Sequence, residues 1–289
     1  MKITVRAYAK INLMLDILSR LDNGYHDLFM IMQSVGLYDE VTVATDSSKN
    51  ISITCNVEAI PCDEKNIAYK AAKAFLDTTD MENCGINIHI EKKIPHAAGL
   101  AGGSADGAAV IVALDKLFGT KLKEKQLIEI GAKVGADVPF CILGGTMLAQ
   151  YTGTVLSHLP TLSEKHIIIV KPDQDVSTAK AYAAFDSAER VRHLDTKNML
   201  MAVINDDWKT ISEKVANVFE QFIEVTDRTV IKGIMRKHGC LCTCMSGSGP
   251  SIFGVFNDSE KAEKCLCELK KDYPDSFLCK TVNEGCSIL

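Results

Sequence analysis

No stretch of this chain reaches the ~18 consecutive apolar residues that a membrane-spanning helix needs. Its opening, Met1-Lys-Ile-Thr-Val-Arg6, sets a charge on each side of a short apolar run, unlike the apolar core of a secretory signal. Positive charge is not in excess: 32 Lys and Arg stand against 37 Asp and Glu, a formal net charge of -5. A general basic footprint for nucleic acid is therefore missing, and no strand is both basic and studded with aromatics. Internal repeats and low-complexity tracts are also missing. These absences point to a cytoplasmic globular protein that neither enters a membrane nor binds nucleic acid. With 289 residues, 47% hydrophobic and 24% charged, the chain suffices for one large or two ordinary domains.

Cysteine, in contrast, is plentiful. There are eleven, an odd number, and without a signal segment they are read as reduced thiols. Cys240-x-Cys242-x-Cys244 lacks the C-x₂₋₄-C pairs of structural zinc. Its period of two places three sulfurs on one face of a strand, where they act as small hydrophobic groups. No metal-ligating residue is assigned.

The most informative stretch is Pro95-His96-Ala97-Ala98-Gly99-Leu100-Ala101-Gly102-Gly103-Ser104-Ala105-Asp106. It joins a strand-like run, Gly85 to Glu91, to a helix-like run, Ala105 to Phe118. Gly99, Gly102 and Gly103 permit positive φ and leave the backbone open to a ligand. Ser104 is placed to cap the helix, with Asp106 in its first turn. A glycine loop feeding a helix N-terminus suits an anion, and one this long suits a polyphosphate. It lacks the Gly-Lys-Ser/Thr ending of a Walker loop and the G-x-G-x-x-G of a dinucleotide fold. Alone, such a loop is equally a tight connection.

Around the loop, hydrophobic periodicity predicts short strands at Ile3–Ala7, Leu13–Leu18, Phe29–Val35 and Val41–Thr45, and an edge or hairpin strand at Asn50–Cys55. Asp63 is placed to cap a helix over Asn66–Leu76. A further helix is expected at Lys123–Val134 and a strand at Thr146–Tyr151. The polar, turn-rich stretch Gly153–Glu164 suggests a boundary, giving domains 1–158 and 159–289. The second half reads as a strand at His166–Val170, a helix containing Tyr182, and two or three helices within Thr196–His238. A hairpin around Ser246-Gly-Ser-Gly249, a helix at Ser259–Lys271 and a strand at Phe277–Val282 follow. That order predicts an α+β unit with an antiparallel sheet.

Four groups could carry chemistry. Lys10, flanked by Ala9 and Ile11 and followed by Asn12, offers a cation and an amide at a strand end, able to stabilise a transferring phosphoryl group. Asp137, in Gly135-Ala-Asp-Val-Pro-Phe140, is a candidate general base for a hydroxyl. Tyr25-His26, after the turn Asp22-Asn-Gly24, could stack on a base and read its edge, and Tyr182 could supply an opposite face. The turn Ser246–Gly249 could approach a ligand through its backbone. Each also has a plain reading: a solvated lysine, a helix-end aspartate, a core tyrosine beside a surface histidine, and a hairpin turn.

Together, Ala9-Lys-Ile-Asn-Leu13, Asp22-Asn-Gly-Tyr-His-Asp-Leu28, Pro95–Asp106, Gly135–Phe140, Lys171-Pro with Val176-Ser-Thr178, and Met245–Gly249 resemble the GHMP small-molecule kinases. They are most similar to the branch whose substrate is a cytidine diphosphate-linked methylerythritol. The resemblance implies a two-domain fold, an N-terminal ATP-binding domain with a mixed sheet and a C-terminal domain with an antiparallel sheet. It implies transfer of the γ-phosphoryl group of ATP, with Mg2+, to the 2-hydroxyl of that substrate, a step in non-mevalonate isoprenoid precursor synthesis. It assigns Lys10 and Asp137 to catalysis, residues 95–105 to the ATP phosphates, and Asn12, Tyr25, His26, Thr178 and Tyr182 to the substrate. A monomer or homodimer is expected. Ala101, Ala105 and Gly107 depart from the family loop, which reads Gly, Ser and Ala there. If position 101 needs positive φ, its Cβ costs about 1–2 kcal/mol. A GHMP kinase for another alcohol and a catalytically silent paralogue stay open as alternatives.

Overall fold

The computed structural model describes residues 1–81 and 84–289, and the elements below are those of the described residues. Two long strands organise the first half: β1 (Lys2–Arg20) and β2 (His26–Asp46). They pair antiparallel with shifts of register at Tyr8/Ala9, Asn12/Met14 and Ile17/Ser19. This corrects the expectation of four short strands. Each shift resets which face a side chain takes, and Lys10, Asn12, Asp16, Gln33, Ser34 and Asp39 are buried within the pair. Bulges and buried polar groups together made two continuous strands read as interrupted ones.

β3 (Ile51–Cys55), α1 (Ile67–Thr79), β4 (Gly85–Glu91), α2 (Gly102–Phe118), α3 (Glu124–Val134), α4 (Val138–Leu143), β5 (Thr146–Tyr151) and β6 (Val155–His158) follow. β3 pairs parallel with β4 at the sheet edge, not as a hairpin. Asn66, not Asp63, caps α1: its Oδ1 accepts from Ala68 N at 2.8 Å, while Asp63 Oδ1 accepts from Lys65 N in the preceding turn. β6 occupies part of the stretch expected to hold only turns.

The rest of the chain supplies β7 (His166–Val170), α5 (Thr178–Asp186), α6 (Thr196–Ile204), α7 (Trp208–Lys214) and β8 (Ala216–Asn217). After a 3₁₀ turn at Val218–Gln221 come α8 (Arg228–Lys237), β9 (Cys242–Met245), β10 (Ile252–Phe256), α9 (Ser259–Leu269), β11 (Ser276–Lys280) and β12 (Cys286–Ile288). The first sheet runs β12-β1-β2-β4-β3, with β5 and β6 continuing from β2 and β8 lying beside β1. The second sheet, β11-β7-β10-β9, is antiparallel throughout. The fold is thus α+β, with a mixed sheet followed by an antiparallel one. β8 and β12 return from the second half to β1, which ties the two halves together.

α2 lies against β1 and β2, and α1, α3 and α4 gather round it. Its small residues allow that closeness. A Cβ at Gly107 would stand 2.8 Å from Ile67 Cγ2, so the glycine that weakens α2 also lets α1 approach it. In the second sheet β10 is buried along its whole length and β7 from Ile167 to Val170. Each fully buried Ile there contributes roughly 1.5–3 kcal/mol. Cys242 and Cys244 are buried in β9, whereas Cys240 precedes it. Burial raises the thiol of Cys242 to about 12. No helix among the described residues is long and apolar enough to cross a membrane.

Candidate active site

The glycine loop enters α2 earlier than its residues suggest. The helix begins at Gly102, so Ser104 lies inside its first turn and caps nothing. Ala101 takes the capping position instead, with φ 59° and ψ 26°, and offers no side-chain acceptor. The N–H groups of the first turn are therefore left without a side-chain cap. Position 101 does need positive φ, and here it carries a Cβ. The surroundings hold it there. Leu100 O accepts from Lys10 N at 3.1 Å. Gly99 O accepts from Ser246 Oγ at 2.9 Å and from Lys10 Nζ at 3.2 Å. Such bracing from both sides is what sustains a strained backbone. Gly99 itself, at φ 71°, cannot be replaced cheaply: a Cβ would fall 2.2 Å from Ser246 O.

Lys10 stands on β1 directly behind this loop and is only 4% exposed. Its Nζ donates to Asn12 Oδ1 at 2.7 Å and lies 4.0 Å from Asp137 Oδ2. Asp137 precedes α4, a short helix that the Gly-Ala-Asp-Val-Pro-Phe segment did not announce. Pro139 is the second residue of that helix, within the first turn, where its missing N–H costs nothing. The Asp137 carboxylate makes no capping bond and is partly open, so it faces Lys10. Asn12 Oδ1 also accepts from Gly247 N at 3.0 Å. The turn Ser246–Gly249 is thereby brought against both Asn12 and Gly99. Thr178 joins the same corner through a 2.9 Å contact between its Oγ1 and Ser248 Oγ.

Tyr25 and His26 are found with the burial opposite to the plain reading: Tyr25 is 65% exposed and His26 is 9% exposed. Tyr182 meets His26, not Tyr25. The two rings stack with centroids 4.6 Å apart and 25° between planes, and Phe219 meets Tyr182 edge-on at 5.2 Å. Burial, with the charge of Asp137 adding to it, pushes the Tyr182 phenol up to about 12.

Sequence reasoning missed a buried charge group behind the loop. Asp106 lies beyond the first turn of α2 and is buried, with Oδ2 2.8 Å from Lys92 Nζ. Lys92 also contacts Asp39, whose Oδ1 accepts from Ile94 N at 2.8 Å and from Lys93 N. Asp106 Oδ1 is buried with no partner among the described residues. Burial pushes the Asp106 carboxyl up to about 8, against the pull of Lys92. Burial works to lower Lys92, but the two carboxylates outweigh it and hold the ammonium above its ordinary value. Alternation carried a signal for both. Ile86, Ile88 and Ile90 point inward and Lys92 continues their parity; Leu37, Val41 and Val43 do the same for Asp39. Asp186, whose Oδ1 lies 2.7 Å from His26 Nε2, was also missed, although it follows Tyr182 by one helical turn.

A cavity of about 150 Å³ opens beside the start of the loop, lined by Val57, Ile60, Lys93, Ile94, Pro95 and His96 among others.

Comparison with known proteins accounts for the arrangement. The N terminal domain of the GHMP kinases matches residues 66–145, and their C terminal domain matches residues 202–275. A 4-diphosphocytidyl-2-C-methyl-D-erythritol kinase of Clostridium acetobutylicum is 43% identical over 280 residues, covering 96% of this chain and 99% of the relative. A crystal structure of 4-(cytidine 5'-diphospho)-2C-methyl-D-erythritol kinase superposes with a TM-score of 0.77 at 28% identity, covering 96% of this chain and 98% of that one. A homoserine kinase from Cytophaga hutchinsonii reaches a TM-score of 0.81 at 22% identity, with 100% and 97% covered, which is a likeness of fold. The chain belongs to the GHMP kinases and, within them, to the 4-diphosphocytidyl-2-C-methyl-D-erythritol kinases.

Proposed function

We propose that this kinase transfers the γ-phosphoryl group of ATP to the 2-hydroxyl of 4-diphosphocytidyl-2-C-methyl-D-erythritol. The observation that carries the reading is the pairing of Lys10 with Asp137 at 4.0 Å, directly under the carbonyl of Gly99. Asp137 takes the proton of the attacking hydroxyl. Lys10, 4.0 Å from Asp137 Oδ2, offsets negative charge on the transferring group. Asn12 orients the substrate, its own oxygen already held by Lys10 and Gly247. The ATP phosphates lie along residues 95–105, where the uncapped N–H groups of α2 and its macrodipole favour an anion. The cavity beside Ile94 and His96 takes the adenine. Tyr25, His26 and Tyr182 hold the cytosine, and Thr178 lines the same pocket.

Magnesium, bound together with the nucleotide, would offset the charge of the phosphates. The Ser104 hydroxyl and the Asp137 carboxylate are hard oxygen donors that suit it. Among the described residues no group of three or more His, Cys, Asp or Glu is placed to hold a metal ion. A cytoplasmic enzyme divided near residue 158 fits this reading: β6 is the last strand of the first sheet before β7 opens the second.

The test is ADP release with ATP and magnesium on the cytidyl substrate, with mevalonate and homoserine alongside. Turnover of the cytidyl compound alone is the expected result. Turnover of another alcohol would overturn the substrate, and no turnover by folded protein would indicate a silent paralogue.

A further inference from the structure

His26 is anchored at one nitrogen. Its Nε2 lies 2.7 Å from Asp186 Oδ1, and an ionised carboxylate only accepts, so Nε2 carries the hydrogen of that bond. Arg20 Nη1 stands 3.6 Å from the other oxygen of Asp186 and braces it from outside. Arg20 and His26 are themselves paired across β1 and β2, so one carboxylate clamps both strands where the hairpin begins. Aromatic rings also pack against the imidazole. Tyr182 stacks on its face and Phe185 meets it edge-on at 5.9 Å. Tyr182, Phe185 and Asp186 lie three and four residues apart on α5, so one helical face supplies the stack, the edge and the hydrogen-bond acceptor. The second nitrogen, Nδ1, has no hydrogen bond among the described residues and is not among the enclosed polar atoms. With Nε2–H fixed, the neutral ring presents Nδ1 as an acceptor of set direction.

We propose that Asp186 is a positioning residue for base recognition: it locks His26 with Nδ1 as the free acceptor, and this acceptor selects an amino-pyrimidine over a keto-pyrimidine. The inference rests on the reading of this pocket as the base site. An exocyclic amino group donates to Nδ1. A keto oxygen in the same place sets acceptor against acceptor, and a site built around a hydrogen bond rejects such a ligand strongly. Asp186 touches no reacting atom in this account. Its effect belongs on KM and on the choice of base.

The experiment compares kcat and KM for the cytidyl substrate and its uridyl analogue in the wild type, Asp186→Asn and Asp186→Glu. Nitrogen-15 NMR of the His26 ring is recorded for each, with and without cytidine or uridine monophosphate. The wild type is expected to show a protonated Nε2 and a bare Nδ1. Asp186→Asn, whose amide can donate or accept, mixes the two tautomers. It is expected to lower the cytidyl-over-uridyl ratio of kcat/KM by about tenfold or more, chiefly through KM. Asp186→Glu restores part of that ratio. A protonated Nδ1 in the wild type overturns the proposal, as does an unchanged ratio in an Asp186→Asn protein whose tautomers have mixed. If the wild type turns over neither compound, the substrate reading falls separately. The ring spectra and the preference between the two monophosphates then decide the role of Asp186 by themselves.

Discussion

At the end of the site proposed for the phosphates, Lys10 is held by Asn12, Gly99 and Asp137, and behind it Lys92 is buried between Asp39 and Asp106. At the end proposed for the base, Tyr25 stands in solvent, and His26 is gripped by α5 through Tyr182 and Asp186. The first end is built from backbone and enclosed charge, the second from side chains that two halves of the molecule lend to each other. Charge enclosed in the core is coupled to folding, because removing one partner strands the others. Partly open side chains are coupled mainly to ligand affinity. Function and stability should therefore separate at the base end and remain entangled at the phosphate end.

Lys92→Met breaks this comparison most forcefully. It leaves Asp39 and Asp106 buried without their cation, and a loss of roughly 3–5 kcal/mol is expected in denaturant unfolding. A loss below about 1 kcal/mol would mean that the group is solvated and the two ends alike.

A pH series sharpens the same point. The Asp106 carboxyl is raised to about 8 in the folded protein from an ordinary 3.8. Between those values the folded state holds a proton that the unfolded state has released. Stability from this group is thus fullest below its ordinary value and falls as pH rises toward about 8. Lys92 is raised above 10.5, so its own contribution is lost only at higher pH and does not offset the fall. The urea midpoint should drop between about pH 5 and about pH 8.5, and Asp106→Asn should flatten that drop. Equal slopes in the two proteins would remove Asp106 as the cause.

The opposite behaviour is expected of Tyr25→Ala. Stacking on a base contributes about 1–3 kcal/mol, so KM for the cytidyl substrate should rise about tenfold or more, with KM for ATP little altered. Stability should change by no more than ~0.5 kcal/mol, as for an exposed position. The smallest effect is at Ala101. Glycine there relieves the left-handed backbone, and a gain of up to about 1 kcal/mol is expected in thermal unfolding, with tighter ATP binding.

Much of this was legible in the residues. The order of elements in the second half follows from periodicity, because β7, β10 and α9 each keep one pattern from end to end. Lys10, Asp137 and the loop at 95–105 announced themselves as motifs, and the fold brings them together. β1 and β2 were not legible as single strands because their bulges shift parity around buried polar residues. The start of α2 was misplaced because Ser104 has the chemistry of a cap, and only the tertiary bracing of Ala101 shows why the helix begins earlier. The Lys92 group escaped notice because a lysine pair before a proline looks solvated. Its burial depends on a carboxylate 53 residues away in sequence.

The central claim is that Asp137, set by Lys10, acts on the hydroxyl in the transition state. Single-turnover kinetics of Asp137→Asn at saturating ATP and cytidyl substrate test it most directly. The account predicts a rate lower by about 10²–10⁴-fold, with the dissociation constants of both ligands nearly preserved. A variant that keeps close to the wild-type rate would contradict it.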